Sequence, residues 1–360
     1  MVKSTGFFGA CCFLGASLLL ASDGSLIRDR SNLLRLRDER GEERPIKTGA
    51  DWARRRGQIL AGMQEVMGQL PDDNRKVPLD VRVGEEVTGP FYVRRKLTYA
   101  AEKGDRVPAY LLIPVRRGGK LPAVLCLHQT GIGKAETVVA GQGDDNLHYA
   151  AHLAERGYVA LAPDYPSFGE YRYDFRSSSY KSGSMKAVWN NMRAIDLLQA
   201  LPEVDGERIG CIGHSLGGHN TMFTAAFDTR IQAAVSNCGF TSFPKYYKGN
   251  LTGWTSDRYM PLIKTRYDNR PDKVPFDFPE LVATLAPRAF LAIAPVGDDN
   301  FEVSGVKDCI AAAMPVYDLL GAKDRLAARY PDCKHAFPPE MRKVAYKWLD
   351  RWLKPEATHP

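Results

Sequence analysis

Ile209-Gly-Cys-Ile-Gly-His-Ser-Leu-Gly-Gly218 is the stretch whose reading decides the fold. A short apolar strand runs into Gly213-His214-Ser215-Leu216-Gly217, a G-x-S-x-G pentapeptide, and then into a helical run of Asn220, Thr221, Met222, Phe223, Thr224, Ala225 and Ala226. A nucleophile at the tip of a tight strand-to-helix turn takes a strained, positive φ, and side chains two residues either side would collide there. The turn lifts the Ser215 hydroxyl clear of the backbone. It also sets the hydroxyl at the positive end of the following helix, where developing negative charge is stabilised. A bare pentapeptide of this kind says little, because Gly and Ser are common in ordinary strand–helix turns. The strand before it, the helix after it and the added Gly218 single out Ser215 as the candidate nucleophile.

Outward from this turn the chain alternates. Upstream lie strand patterns at Val81–Val83, Tyr92–Ala100 and Ala109–Pro114. The run Pro122-Ala-Val-Leu-Cys-Leu-His128 is continuously apolar, as in a parallel strand buried on both faces. A helix over Tyr149–Arg156 leads into a strand at Tyr158–Ala162, and a helix over Met185–Leu201 leads into Ile209–Ile212. Further strands are expected at Ile231–Val235, Ala289–Ala294 and Ala327–Tyr330, with a closing helix at Pro339–Leu353. This alternation implies an α/β fold: a mostly parallel central sheet flanked by helices. Before it, Ser25–Ala50 is polar and Arg-rich without clear periodicity, and Trp52, Ile59, Leu60, Met63, Val66, Met67 and Leu70 recur at helical spacing up to Pro71. That gives an N-terminal helical extension. A long aromatic-rich insertion, Phe240–Pro287, precedes the Ala289 strand and should overlook the carboxyl edge of the sheet. Its rings can line an acyl or sugar subsite or form a small core of their own.

A serine hydroxyl needs a base held beside it. In this architecture an acid follows a later strand and a histidine lies near the C-terminus. Ala294-Pro-Val-Gly-Asp298-Asp299 follows the Ala289 strand, and Pro331-Asp-Cys-Lys-His335 follows the last strand. The chain has 7 histidines, so one in this slot is informative, and His335 is the candidate general base. Asp298 and Asp299 compete as the acid that orients it; the strand-edge position favours Asp298. The oxyanion needs two backbone donors: the N–H of Leu216 and one from the loop after His128, Gln129 or Thr130. His128 and His214 read as packing and hydrogen-bonding residues around the elbow.

The chain has 360 residues, 44% hydrophobic and 25% charged, with a net charge of +7. Much of the basic character lies between Arg28 and Arg56, in no aromatic-interleaved pattern, so no nucleic-acid partner is expected. Lys3, the apolar run Phe7–Leu20 and the small residues Ala21 and Ser22 read as a signal peptide over residues 1–22, hence an exported protein without stable membrane association once the leader is removed. Residues 23–90 then form an arm and helix, and residues 91–355 a catalytic domain. Of 7 cysteines, Cys11 and Cys12 lie in the leader. The rest are scattered without a CxxC pair, which indicates no zinc site or disulfide framework, a single Cys309–Cys333 bridge being left open. Gly131-Ile-Gly-Lys134 lacks the spacing and the Ser or Thr of a phosphate loop, and Asn250-Leu-Thr252 is a glycosylation sequon.

With Ser215, Asp298 and His335 in this order, residues 92–353 resemble the α/β-hydrolases. Within them, Ala162-Pro-Asp-Tyr-Pro-Ser-Phe-Gly-Glu170 and Ile209–Gly218 resemble the dienelactone hydrolase and acetyl xylan esterase-like group. The Asp298-Asp299-Asn300 run is similar to the acid loop of prolyl-oligopeptidase-like enzymes, in which the first Asp is the triad member. Two features depart from these patterns. Dienelactone hydrolases proper use a cysteine where this chain has Ser215, and the peptidase relatives carry a large N-terminal propeller for which this N-terminal segment is far too short. The resemblance implies a serine esterase acting by an acyl-enzyme on small acyl esters, acetyl groups of plant polysaccharide among them, with no metal or organic cofactor called for. A serine peptidase or amidase and a non-catalytic binding protein on the same fold are the other readings. Oligomeric state is not legible.

Overall fold

In the computed structural model, residues 27, 29–116, 118–131 and 144–354 are described. The expected leader, with Cys11 and Cys12, and the stretch from Ile132 to Lys134 lie outside them. The strands are β1 (Arg35–Arg37), β2 (Glu43–Pro45), β3 (Arg82–Thr88), β4 (Tyr92–Glu102), β5 (Asp105–Pro114), β6 (Leu121–Leu127), β7 (Val159–Pro163), β8 (Val204–His214), β9 (Ile231–Asn237), β10 (Ala289–Ile293) and β11 (Leu326–Arg329). The helices are α1 (Gly49–Met67), α2 (Tyr149–Glu155), α3 (Gly183–Ala200), α4 (Leu216–Phe227), α5 (Leu262–Thr265), α6 (Phe278–Thr284), α7 (Val303–Leu319) and α8 (Pro339–Leu353), joined in places by short 3-10 turns.

Nine strands form one sheet in the order β11-β10-β9-β8-β6-β7-β5-β4-β3. From β11 to β7 every pairing is parallel, and β5, β4 and β3 add an antiparallel flank. This is the expected mostly parallel sheet. Its outermost strand, β3, lies before residue 91 and pairs with β4, so residues 82–88 belong to the sheet and not to the arm. The chain leaves β6 for β7 on one side and returns to β8 on the other. Strand order therefore reverses at β6, and the crevice at the carboxyl ends of β6 and β8 is the place where such folds seat ligands. Both strands are apolar and buried there: Leu125, Cys126, Cys211 and Ile212 are fully enclosed.

The N-terminal arm is more ordered than its sequence suggests. β1 and β2 pair as a hairpin, and Thr48 caps α1, accepting from the Asp51 amide at 3.1 Å while Asp51 accepts from the Thr48 amide at 3.0 Å. Arg30 reaches the carbonyl of Pro271 and, at 3.2 Å, the Glu280 carboxylate, and Arg55 of α1 bonds the same carboxylate; all three side chains are largely buried. The arm and α1 are thus fastened to the insertion.

In that insertion, Phe243, Phe276 and Phe278 are fully buried, and Phe278 lies 5.4 Å from Phe243 and 5.5 Å from Phe240. Most of these rings are the insertion's own core. Tyr247 is exposed. The sequence reading places no helix at Val303–Leu319, where Pro315 interrupts an otherwise apolar pattern, yet the helix continues through it. Cys309 and Cys333 form no bridge: Cys309 is buried on the inner side of α7, whereas Cys333 lies in a half-exposed loop, and both thiols are free.

Candidate active site

The glycines of the elbow fit their places by distance. A Cβ on Gly213 would lie 2.1 Å from the Gly217 carbonyl oxygen, and one on Gly217 would lie 1.8 Å from the carbonyl oxygen of Leu127. The first turn of α4 is therefore pressed onto the end of β6. A Cβ on Gly218 would meet the Gly239 Cα at 2.7 Å, which explains the third glycine. Between them Ser215 takes φ 54° and ψ −117°, a left-handed conformation strained for any residue with a side chain. Its amide donates to the Asn237 carbonyl of β9 at 2.9 Å, and its own carbonyl accepts from the Gly218 and His219 amides at 2.8 and 3.2 Å. The strain is held by backbone bonds on both sides.

His335 and Asp298 are brought together at the carboxyl edge. The His335 Nδ1 lies 2.9 and 3.0 Å from the two carboxylate oxygens of Asp298. Asp298 also accepts from the amides of Asn300 and Phe301 at 2.9 and 3.1 Å. Burial by itself would raise this carboxyl. The bond to His335, the charge of that ring and the two amides outweigh burial and hold it below its ordinary value. Asp299 is exposed. The His335 ring sits 4.9 Å from that of His214, the residue just before Ser215, and 6.0 Å from Phe301.

His214 is buried and kept neutral, its pKa pushed down to about 3 by burial and by the neighbouring His335. Its Nδ1 accepts from Asn237 Nδ2 at 2.6 Å, and the same amide group reaches the Ala336 carbonyl at 3.2 Å. Asn237 thus ties the elbow to the residue after His335. His128 is likewise structural: its Nδ1 donates to the Gln129 carbonyl at 2.6 Å, and its Nε2 accepts from the Tyr165 amide at 3.0 Å.

Of the expected oxyanion donors, Leu216 opens α4 and is buried against Tyr165, Phe168 and Ala187. Thr130 lies on the loop after β6, its hydroxyl 3.2 Å from that of Tyr259. The approach of Gly217 to the Leu127 and His128 carbonyls sets the first turn of α4 against the end of β6, where the Gln129–Thr130 segment begins. The wall beside them is the Asp164–Glu170 loop. Asp164 accepts from the Glu170 amide at 3.0 Å, and a Cβ on Gly169 would lie 2.1 Å from its carboxylate.

Sequence reasoning missed Cys238. It follows β9 at φ 49°, and its thiol, the Asp298 carboxylate and a His335 ring nitrogen lie within 4.8 Å of one another. Burial, and then the Asp298 charge, push the thiol well above its ordinary value, so it stands there as a neutral thiol, in contact with the Ala336 carbonyl at 3.4 Å. Its position just past a strand end at the carboxyl edge was the available signal.

A family model of fungal glucuronyl esterases matches residues 167–321. The protein named hydrolase YtaP of Bacillus subtilis is 27% identical over 313 residues, covering 84% of this chain and 99% of its own. A 4-O-methyl-glucuronoyl methylesterase of Hypocrea jecorina is 25% identical, over 67% of this chain and 52% of its own, so the chain spans about half the length of that relative. Among solved structures, a glucuronoyl esterase from Solibacter usitatus superposes with a TM-score of 0.72 at 19% identity, over 89% of this chain and 97% of that one. Acetyl xylan esterase 1 from Thermoanaerobacterium superposes with a TM-score of 0.55 at 19% identity, over 82% of this chain and 92% of that one. Fold, elbow and relatives agree: the chain has the α/β-hydrolase fold and is similar in sequence to carboxylic-ester hydrolases.

Proposed function

We propose that the chain is a serine esterase that acts through an acyl-enzyme on small acyl esters, acetyl above all, borne by polysaccharide. The observation that carries this reading is His335, bonded to the buried Asp298 and lying 4.9 Å, ring to ring, from His214 of the strained Ser215 elbow. In the mechanism, Ser215 Oγ attacks the ester carbonyl carbon and His335 Nε2 takes its proton, while Nδ1–H donates to Asp298, which stabilises the imidazolium. The oxyanion accepts from the Leu216 amide and from that of Gln129 or Thr130. One such donor is worth about a hundred- to a thousandfold in rate. The proton then passes from His335 to the departing alcohol, and water, activated by the same ring, releases the acid. Export of the enzyme is part of the proposal and rests on Lys3 and the apolar run Phe7–Leu20.

A second reading has a specific observation behind it. The match to glucuronyl esterases over residues 167–321 favours a uronate ester as substrate, with the same nucleophile attacking the sugar's own carboxyl carbon. The test is a hydrolysis panel of p-nitrophenyl acetate, butyrate and octanoate, acetylated xylan, a methyl glucuronate and a peptidyl anilide, with wild type beside Ser215→Ala. Acetate-selective turnover that drops at least about ten-thousandfold in the variant supports the first reading. Turnover confined to the glucuronate supports the second, turnover confined to the anilide points to a peptidase, and activity surviving in Ser215→Ala overturns the serine mechanism.

A further inference from the structure

Side chains follow one another around Ser215 in a continuous wall. From Thr130 the contact passes to Tyr259 at 3.2 Å, hydroxyl to hydroxyl. The Tyr259 ring lies 5.9 Å from that of His219, and His219 lies 4.8 Å, edge to face, from Trp254. Trp254 is 6.2 Å from Phe301, and Phe301 is 6.0 Å from His335. His219 stands one turn beyond Ser215 on the same helix, its amide bonded to the Ser215 carbonyl.

Two polar atoms in this wall have no hydrogen-bond partner among the described residues: His219 Nε2 and Trp254 Nε1. Both residues are buried, with 5% and 3% of their surface exposed. Their chemistry is complementary. His219 Nδ1 faces the Gly239 carbonyl at 3.3 Å and must donate to it, which leaves a lone pair on Nε2. Burial keeps the ring neutral, pushing its pKa down to about 3. The indole Nε1–H can only donate. One buried acceptor and one buried donor on touching rings match a group that donates and accepts at once, and a hydroxyl is the simplest such group. Buried polar atoms are mostly paired, and what sets these two apart from the other unpartnered atoms is that they sit on touching rings one turn beyond Ser215.

We propose that His219 and Trp254 form a hydroxyl-recognising subsite beside the nucleophile, which takes a ring hydroxyl of the sugar that carries or contains the ester. The inference rests on the serine esterase reading and gives that site its selectivity for sugar esters over plain alkyl or aryl esters. A site built around a substrate hydroxyl discriminates strongly against analogues that lack it, because its own polar groups are then left unpaired. The surrounding aromatic rings suit the apolar C–H face of a pyranose.

The experiment compares wild type, Trp254→Phe, His219→Phe and His219→Gln on acetylated xylo-oligosaccharides and on p-nitrophenyl acetate, and reads the ratio of the two kcat/KM values. That ratio should fall about ten- to a hundredfold in both Phe variants, chiefly through KM on the sugar ester, and recover in part in His219→Gln, which keeps an acceptor. An unchanged ratio, the result if the pair holds only a water molecule, overturns the proposal, as does an equal loss on both substrates. Calorimetric titration of xylotriose into Ser215→Ala and into Ser215→Ala/Trp254→Phe separates the two readings. Xylotriose affinity that depends on Trp254 in a chain that hydrolyses no ester keeps the subsite and removes the esterase. Ester hydrolysis with xylotriose affinity indifferent to Trp254 does the reverse.

Discussion

Two adjacent aspartates in one loop have different surroundings. Asp298 is buried, bonded to His335 and to two amides, whereas Asp299 faces solvent. Asp298→Asn should therefore lower kcat about a thousand- to ten-thousandfold on whichever ester the enzyme turns over, by offering His335 the wrong tautomer. Asp299→Asn should stay within about threefold of wild type, as exposed substitutions away from a site usually do. A kinetic comparison of the two variants settles the assignment, and equal losses would contradict it. The order Ser, Asp, His was legible because a strand–loop–helix chain reveals which loops share an edge. Cys238 was not legible in the same way: a cysteine in sequence carries no sign of the backbone conformation or of the carboxylate that its fold sets beside it.

At the scale of elements, the elbow depends on two backbones touching. Gly217→Ala would drive a methyl group to 1.8 Å from the Leu127 carbonyl, and neither α4 nor β6 can yield without moving the sheet. The variant should lose about 3 kcal/mol of stability, with a midpoint about 4 °C lower in a melting experiment, and most of its activity; a melting curve equal to wild type would contradict the packing argument. Nearly every strand of the sheet was readable from apolar runs between turn signals, and α8 begins and ends where its pattern does. The β1–β2 hairpin was not readable, since its three-residue strands are too short for any period to appear. The run Val303–Leu319 was missed for another reason. Pro315 argues against a helix locally, and the burial of Val306, Cys309, Ala313 and Val316 against the core overrides that local preference.

Across the whole molecule, stability should depend on acid in a definite direction. Burial pushes His214 and His219 down to about 3, so between about pH 3 and 6.5 the unfolded chain binds protons that the folded chain refuses. Their contribution is complete above about pH 6.5 and is lost as the pH falls, by about 2 kcal/mol for each ring at pH 5. Asp277 acts in the opposite sense: burial raises it to about 6 even beside Arg30, so its contribution is present at low pH and is lost as the pH rises through 6. It offsets only part of the loss. Urea unfolding at pH 7 and pH 5 should show a lower midpoint at pH 5, and equal midpoints would contradict the neutral burial of the two histidines.

The outer strand β3 is exposed along its whole length and carries Arg82, Glu85 and Glu86, and its register with β4 slips between Val83 and Glu85. A second copy that tried to extend the sheet there would have to strip water from both carboxylates and would meet a bent ladder. Charge and bulge thus weigh against edge-to-edge pairing at β3, while Val83 and Val87, also exposed, leave apolar surface along it.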